Sequence, residues 1–500
     1  MIINNSHKLP EDLFPYQKED VEKLLATTEG FLNLSEMGTG KTPVALGLAK
    51  LGEFKKTLVI CPKTLRWEWA RQINDWCGFE PTVSSKSSSR RVDTLAEEFL
   101  GDRPGNPFFI VNYETFRSEQ HRSLLKIIDF DLIIMDEAHK VRNPDTSQFR
   151  GLRDFLEDHN HSRVLAMTGS PIVNRPDDLY SLLTITRPSQ FPSRLRNTFL
   201  LDNCYTIPRR RGIKVIGVRN PTKIQAMVKS FSIQRMKKEV LPFLPDKYYR
   251  VVNLEMDPKQ REVYEKAKKE LLIELANGET LKSASVLALL TRLRQLNLDP
   301  RIISGIDGVP STKTDFLKEL IEEMGDQKLV IFSTSEIYIH LLDKDLASVP
   351  GHFMGSVTPA WRSGSSTGLG GIGRIIITGK TPSEERMANV KRFQEDPTCK
   401  LALGTMQTMG EGLTLTAASN VVLMDRWWSP TVNDQAVDRL HRIGQKTSVQ
   451  VILPVVKDSI DATMDRVLKG KYKFILDALG QPFPYEVMES VLEDIKDGIA

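Results

Sequence analysis

The sequence predicts an α/β protein of two parallel-sheet lobes in tandem, with a mostly helical insert or linker between them, and three observations carry that prediction. Short apolar runs of strand length alternate with helical stretches in two separate blocks, one from Phe31 to Met167 and one from Lys328 to Val456. Between the blocks, from about Tyr180 to Asp326, prolines and charges dominate and long charged helical stretches replace the strands. At 500 residues the chain exceeds what one ordinary core accommodates. The expected division is 1–230 for the first lobe, 231–310 for the linker and helical insert, 311–475 for the second lobe and 476–500 for a short tail.

In the first block, Leu13-Phe14-Pro15-Tyr16-Gln17 precedes an amphipathic stretch through Leu25. The Gln17 side-chain amide offers a donor and an acceptor, which suits the edge of adenine; the alternative is a polar residue at a helix start. Phe31–Leu34 reads as a strand and Val44–Ala49 as a helix, with Ser35-Glu36-Met37-Gly38-Thr39-Gly40-Lys41-Thr42 between them. Strand, glycine-containing loop and helix make a phosphate loop. Gly38 and Gly40 let consecutive N–H groups converge on phosphate oxygens at the positive end of the helix, Lys41 reaches the β and γ phosphates, and the Thr42 hydroxyl ligates Mg²⁺. The stretch from Glu36 to Thr42 is therefore the expected nucleotide-binding segment, although Ser35 holds the place of the first glycine in the strict pattern.

A second motif decides the matter. Asp136-Glu137-Ala138-His139 follows the apolar run Leu132-Ile133-Ile134-Met135. A buried strand ending in two adjacent carboxylates puts Asp136 on the metal and leaves Glu137 to orient or deprotonate the attacking water. The two motifs together make one Mg²⁺–nucleotide site, and the chain reads as an NTP-hydrolysing enzyme.

The remaining elements of this block fall around that pair. Thr57–Cys61 is a buried strand, followed by Pro62-Lys63-Thr64-Leu65 and a helix from Arg66 to Trp76; open N–H groups beside Lys63 suit a nucleic-acid phosphate. Trp67 and Trp69 read as core residues. Ser84–Arg91 reads as a flexible basic loop, Phe108–Asn112 as a strand ending in Tyr113-Glu114-Thr115, and Arg163–Met167 as the strand before Thr168-Gly169-Ser170-Pro171.

In the middle segment, Arg209-Arg210-Arg211-Gly212-Ile213-Lys214 is either a DNA contact or a solvated loop. Met256-Asp257-Pro258 opens a charged helix through Ala276, and Ser285–Leu298 forms another. The second block contributes strands at Lys328–Ser333, Gly373–Thr378, Lys400–Thr405, Asn420–Asp425 and Val449–Val456, and its first strand carries no phosphate loop. Such a lobe is expected to supply completing groups across a cleft. Arg439 and Arg442 are three apart, so on one helical turn both would face a γ-phosphate and stabilise the charge developing there. Ser348–Arg374 reads as a mobile Gly/Ser-rich loop with Trp361 and Arg362 as its anchors.

The net charge is only +4, so local patches matter more than the global balance. Four cysteines without CxxC or CxH spacing argue against zinc sites and a disulfide framework, and fit a reducing compartment. No apolar run approaches membrane-spanning length and the amino terminus lacks a signal pattern, so an intracellular protein without membrane association is expected.

Taken in order, these segments resemble the Swi/Snf-like ATPases of helicase superfamily two. The resemblance runs through PYQ at Pro15, SEMGTGKT at Ser35, CPKTL at Cys61, NYET at Asn112, DEAHKVRN at Asp136 and LAMTGSPIVNRPDDLYSLL at Leu165. It continues through VIFS at Val330, TGKTPSEER at Thr378, GEGLTLTAAS at Gly410, WWSP at Trp427 and QAVDRLHRIGQ at Gln435. It implies two RecA-like lobes, Gln17 at adenine, Lys41 and Thr42 at phosphates and Mg²⁺, and Asp136 on the metal. It further implies Glu137 as the catalytic base and Arg439 and Arg442 as arginine fingers. Residues similar to DNA-facing motifs are Lys63, Thr64, Tyr113, Thr405 and Trp427. The implied function is ATP-driven translocation on double-stranded DNA by a compact bacterial or viral motor, cytoplasmic or nucleoid-associated. The alternatives are a strand-separating or strand-annealing DNA or RNA helicase, and a non-catalytic nucleic-acid scaffold.

Overall fold

The computed structural model describes residues 9, 11–84, 107–169, 177–208, 213–219, 221–276, 283–303, 306, 308–347, 372–409, 413–462, 464 and 468. It divides into two compact units, and the chain passes from the first to the second between Phe243 and Leu244.

The first unit is built on a seven-stranded sheet whose order is β3-β4-β2-β5-β6-β1-β9. Its strands are β1 (Phe31–Asn33), β2 (Thr57–Cys61), β3 (Thr82–Val83), β4 (Phe108–Asn112), β5 (Leu132–Asp136), β6 (Arg163–Met167) and β9 (Ser232–Ile233), all paired in parallel. Most of these strands are buried along their whole length, as expected of a parallel sheet covered on both faces. Because β6 lies between β5 and β1, the carboxyl ends of β5 and β1 open onto the same edge of the sheet, two strands apart. That edge is where α/β sheets place their ligands.

Helix α1 (Pro15–Leu25) precedes β1, α2 (Lys41–Leu51) follows it, and α3 (Arg66–Cys77) follows β2. The reading of Trp67 as a core residue is corrected here. Trp69, Ile73 and Trp76 are buried at helical spacing along α3, whereas Trp67, two residues from Trp69 and so turned to the far side, is 52% exposed. A separate antiparallel hairpin, β7 (Cys204–Pro208) and β8 (Ile213–Val218), lies between the helices Arg196–Asn203 and Pro221–Ser230.

The second unit holds a six-stranded parallel sheet in the order β10-β15-β14-β11-β13-β12. Its strands are β10 (Lys247–Leu254), β11 (Leu329–Ser333), β12 (Gly373–Ile377), β13 (Cys399–Thr405), β14 (Asn420–Leu423) and β15 (Val449–Val456). Alternation along β11 sends Val330 and Phe332 into one apolar layer and Leu329 and Ile331 into the other, so both faces are covered. The stretch 231–310, expected as linker and helical insert, carries the helices Pro258–Ala276 and Ser283–Leu298 but also contributes β9 to the first sheet and β10 to the second. The segments Ser85–Arg91, Arg209–Gly212 and Ser348–Gly371, which hold most of the expected basic and Gly/Ser-rich loops, lie outside the described residues.

Candidate active site

The loop after β1 is the first half of the site. Gly38 and Gly40 take positive φ of 81° and 77°, a conformation that side chains with a Cβ resist. At Gly40 a Cβ would also stand 2.2 Å from Gln17 Nε2. The loop is braced from α1: Tyr16 donates its hydroxyl to the Thr39 carbonyl at 2.8 Å, and Gln17 Nε2 donates to the carbonyls of Thr39 and Gly40 at 3.3 and 3.5 Å. Gln17 Oε1 accepts from the Phe14 N–H, so both ends of the amide are held by the chain itself. Lys41 Nζ turns into the loop and donates to the Ser35 and Glu36 carbonyls at 3.0 and 3.3 Å.

The second half is the end of β5. Asp136 accepts from the Trp69 indole N–H at 2.8 Å on Oδ2 and from the Glu137 N–H at 2.9 Å on Oδ1. Its carboxyl is pushed up to about 6 by burial and by the neighbouring Glu137 charge, against the opposing pull of the Trp69 hydrogen bond and of Lys41. Glu137 adopts φ of 50°, a left-handed conformation costly for a residue with a Cβ and of the kind that accumulates at functional sites. That bend aims its Oε2 to within 3.3 Å of His139 Nδ1, which is also 3.2 Å from the Thr168 hydroxyl at the end of β6.

A third element closes on the loop. The backbone following β9 accepts the Glu36 N–H on the Arg235 carbonyl at 2.9 Å, and the Lys237 N–H donates to Glu36 Oε2 at 2.7 Å. Arg235 in turn pairs with buried Asp20 of α1 at 2.7 Å and with Glu19 at 3.0 Å. Sequence patterning missed this strap, as it missed the roles of Trp69, His139 and Thr168; the signal was weak because each is an ordinary core or turn residue until the sheet brings it to the motif.

These residues fit a Mg²⁺-bound nucleoside triphosphate. The Ser35 hydroxyl is buried without a hydrogen-bond partner among the described residues, inside a loop curled by two left-handed glycines. The half-buried Asp136 carboxyl, raised to about 6 in the protein alone, is a group whose charged form a divalent cation would stabilise. Thr42 stands half-buried in the first turn of α2.

The other expected residues are placed as follows. Lys63 and Thr64 are exposed in the single turn Lys63–Leu65 after β2. Tyr113 is a correction to the expectation of a DNA contact: its ring is 2% exposed and its hydroxyl donates to the Asp136 carbonyl at 2.7 Å, so it props the acidic strand end from beneath. Thr405 is likewise buried, its hydroxyl 3.0 Å from that of Thr408. Trp427 is half-buried, with its backbone clamped by the Asn433 amide at both N–H and carbonyl.

Arg439 and Arg442 do not share a helical turn, which corrects the reading from spacing. The helix Pro430–Val437 ends before them, because the Arg439 carbonyl accepts from Leu415 N–H and the Leu440 carbonyl from Gln445 Nε2. Arg439 is buried and Arg442 half-buried, with Arg442 Nε donating to the Asp438 carbonyl at 3.1 Å.

In the same unit, Asp425 accepts from the Ser333 hydroxyl, from the Thr334 N–H and hydroxyl, and from Arg294 of the helix Ser283–Leu298. Arg294 also lies over the Trp427 and Trp428 rings at 6.0 and 5.5 Å. Beneath this loop, fully buried Lys313 donates to the Met424 carbonyl at 2.8 Å and pairs with Asp461 at 2.9 Å.

Compared with known families, residues 16–302 match the family described as SNF2-related domain, and residues 312–444 match the Helicase conserved C-terminal domain. Mouse "DNA annealing helicase and endonuclease ZRANB3" is 26% identical over 93% of this chain and 40% of its own length. An "Uncharacterized ATP-dependent helicase" of Mycoplasma pneumoniae is 26% identical over 95% of this chain and 43% of its own. The Caenorhabditis elegans homolog of "SWI/SNF-related matrix-associated actin-dependent regulator of chromatin subfamily A-like protein 1" is 27% identical, over 95% and 62% respectively. The chain thus spans about two to three fifths of the length of these relatives. Among solved structures, the "Sulfolobus solfataricus SWI2/SNF2 ATPase core in complex with dsDNA" covers 95% of this chain and 94% of that one, at 22% identity and a TM-score of 0.39.

Proposed function

We propose that this chain, which belongs to the SNF2-related family of helicase-type ATPases, hydrolyses Mg²⁺-bound ATP to move along double-stranded DNA and to remodel DNA or protein–DNA complexes. The observation that supports it most is the pairing, on one edge of one sheet, of a left-handed glycine loop with a half-buried Asp136 and a bent Glu137. Lys41 exchanges its carbonyl partners for β and γ phosphate oxygens, and Gln17, assigned to adenine, would exchange its Phe14 and loop-carbonyl partners for the edge of the base. Asp136 and Thr42 would hold Mg²⁺, which when bound neutralises phosphate charge and favours attack at the γ-phosphorus. Glu137 Oε2 takes the proton of the attacking water, and His139, fixed by Thr168, keeps that oxygen aimed. Arg439 and Arg442 are assigned to charge on the transferring phosphoryl group. Lys63, Thr64 and Trp427 are assigned to the DNA backbone, with Tyr113 and Thr405 acting from beneath as props.

A motor that tracks any sequence holds phosphates rather than base edges, so its DNA affinity falls as salt rises. The test is ATP hydrolysis by the purified protein alone and with duplex DNA, single-stranded DNA and RNA, beside Glu137→Gln. Duplex DNA is expected to stimulate most, and Glu137→Gln to abolish turnover while retaining nucleotide binding. Greater stimulation by RNA or single strands, or efficient unwinding of a simple fork, would overturn the duplex-translocase reading.

A further inference from the structure

We propose that the strap from Arg235 to Phe243 takes over the phosphate loop when a nucleotide draws Lys41 away, with Glu36 as the positioning residue through which it acts. The inference rests on the ATP-binding reading of the loop and adds to it how the loop keeps its shape once occupied.

Glu36 is the joint between loop and strap. Its carbonyl faces the loop, accepting the Thr39 hydroxyl at 2.8 Å, the Thr39 N–H at 3.4 Å and Lys41 Nζ at 3.3 Å. Its other two groups face the strap: the N–H donates to the Arg235 carbonyl at 2.9 Å, and the carboxylate accepts the Lys237 N–H at 2.7 Å. The strap is itself fastened at both ends. Arg235 pairs with the buried Asp20 of α1 at 2.7 Å, and the Phe243 ring stacks on Phe14, the residue before α1, with centroids 6.1 Å apart. The same helix braces the other side of the loop, through Tyr16 and Gln17 on the Thr39 and Gly40 carbonyls. Loop, strap and α1 thus close a frame around Glu36.

Lys41 has two claims on it. In the protein alone its ammonium holds the Ser35 and Glu36 carbonyls; a triphosphate turns it to the β and γ oxygens and releases them. A bond worth the same in both states would leave affinity unchanged. The two bonds between Glu36 and the strap are worth more after binding. Before it they duplicate the hold of Lys41 on the same residue, and after it they act without that hold. The bond from Lys237 is also the stronger kind, since its acceptor is a carboxylate. By reciprocity, a nucleotide that depends on the strap must hold the strap more firmly in return.

The experiment deletes one N–H. Lys237 is the first residue of the helix Lys237–Val240, and Met236 before it is extended at φ −92° and ψ 138°, so proline fits at 237 and removes the donor to Glu36. Lys237→Ala keeps that donor and accounts for the loss of the buried lysine side chain. Binding of a fluorescent, non-hydrolysable ATP analogue with Mg²⁺ is measured on the full chain, together with amide hydrogen exchange across residues 233–243 with and without the analogue. Lys237→Pro is expected to bind about ten-fold more weakly than Lys237→Ala. Its KM for ATP should rise while kcat stays within about two-fold, because Glu137 and His139 are held by other bonds. In wild type and Lys237→Ala the analogue should slow exchange across 233–243, and in Lys237→Pro it should not. The proposal is overturned if the two variants bind alike, or if the analogue leaves wild-type exchange in this segment unchanged. Should Lys237→Pro fail to fold, the wild-type exchange decides alone. A wild type that does not bind the analogue would refute the ATP-binding reading itself, whereas failure with binding intact belongs to the strap.

Discussion

Replacing Lys313 by methionine should strongly destabilise the second unit. Lys313 is 1% exposed; its ammonium pairs with Asp461 Oδ2 at 2.9 Å and donates to the Met424 carbonyl at 2.8 Å. Asp461 is itself buried and accepts the Val456 N–H. Burial alone would raise the Asp461 carboxyl, but Lys313, Arg426 and that N–H outweigh it and hold it below its ordinary range. Methionine fills the same volume but leaves the carboxylate buried without its cation, a change that costs about 3–5 kcal/mol. For a unit of this size that lowers the melting temperature by roughly 6–20 °C. Calorimetry on the full chain reads the loss in the second unit's transition.

Two controls make the reasoning refutable. Lys313→Met/Asp461→Leu removes both charges and should recover most of the loss, since an apolar pair of similar volume is often neutral or better. Because Asp461 titrates lower when folded, its contribution is present above the unfolded carboxylate pKa and fades as pH falls through the folded value; the double variant should lack that acid-side decline. A single-variant loss under about 1 kcal/mol, or a double variant no better than the single, would show that the pair is not what holds this loop.

Two other changes probe the first unit. Gly40→Ala combines a φ of 77° with a Cβ 2.2 Å from Gln17 Nε2, so nucleotide binding measured by a fluorescent ADP analogue should weaken at least ten-fold and the melting temperature of the first unit should fall by several degrees. Trp69→Phe keeps the ring and deletes the N–H on Asp136; losing a hydrogen bond to a charged group costs about 1.5–3 kcal/mol. That loss raises the carboxyl further above its present value of about 6, so the acid limb of ATP hydrolysis should move to higher pH and the Mg²⁺ concentration for half-maximal rate should increase.

How far these features were legible in sequence follows from the range of the interactions involved. The strands β2, β4, β5, β6 and β11 through β15 announce themselves as apolar runs because both faces of a parallel sheet are buried. The phosphate loop and Asp136-Glu137 were legible because each is contiguous. β10 was not: as an edge strand it alternates half-buried and exposed residues, including Tyr248 and Arg250, and resembles a charged linker. β9 is only two residues long and exists because it pairs with β1, some two hundred positions away. The spacing of Arg439 and Arg442 misled for a related reason, since the Leu415 N–H, from a distant part of the chain, takes the Arg439 carbonyl where the spacing assumed a continuing helix.

The same range argument explains why the acidic residues of both units are held by aromatic or cationic groups drawn from elsewhere in the chain. Asp136 sits at a half-buried strand end, where local sequence offers its carboxyl only the Glu137 N–H, beside a like charge that works against it. The indole of Trp69 reaches it from α3, and Tyr113 fixes its backbone from the turn after β4. Asp425 meets the same difficulty after β14 and takes Arg294 from the helix Ser283–Leu298 between β10 and β11, the same side chain that lies over the Trp427 and Trp428 rings. The Asp136 carboxylate has the Trp69 hydrogen bond only while α3 is docked. Loosening α3 should therefore alter the chemistry of Asp136 before it unfolds the sheet, and Trp69→Phe at moderate urea should lose ATP turnover ahead of secondary structure, whereas simultaneous loss would place Trp69 in the core alone.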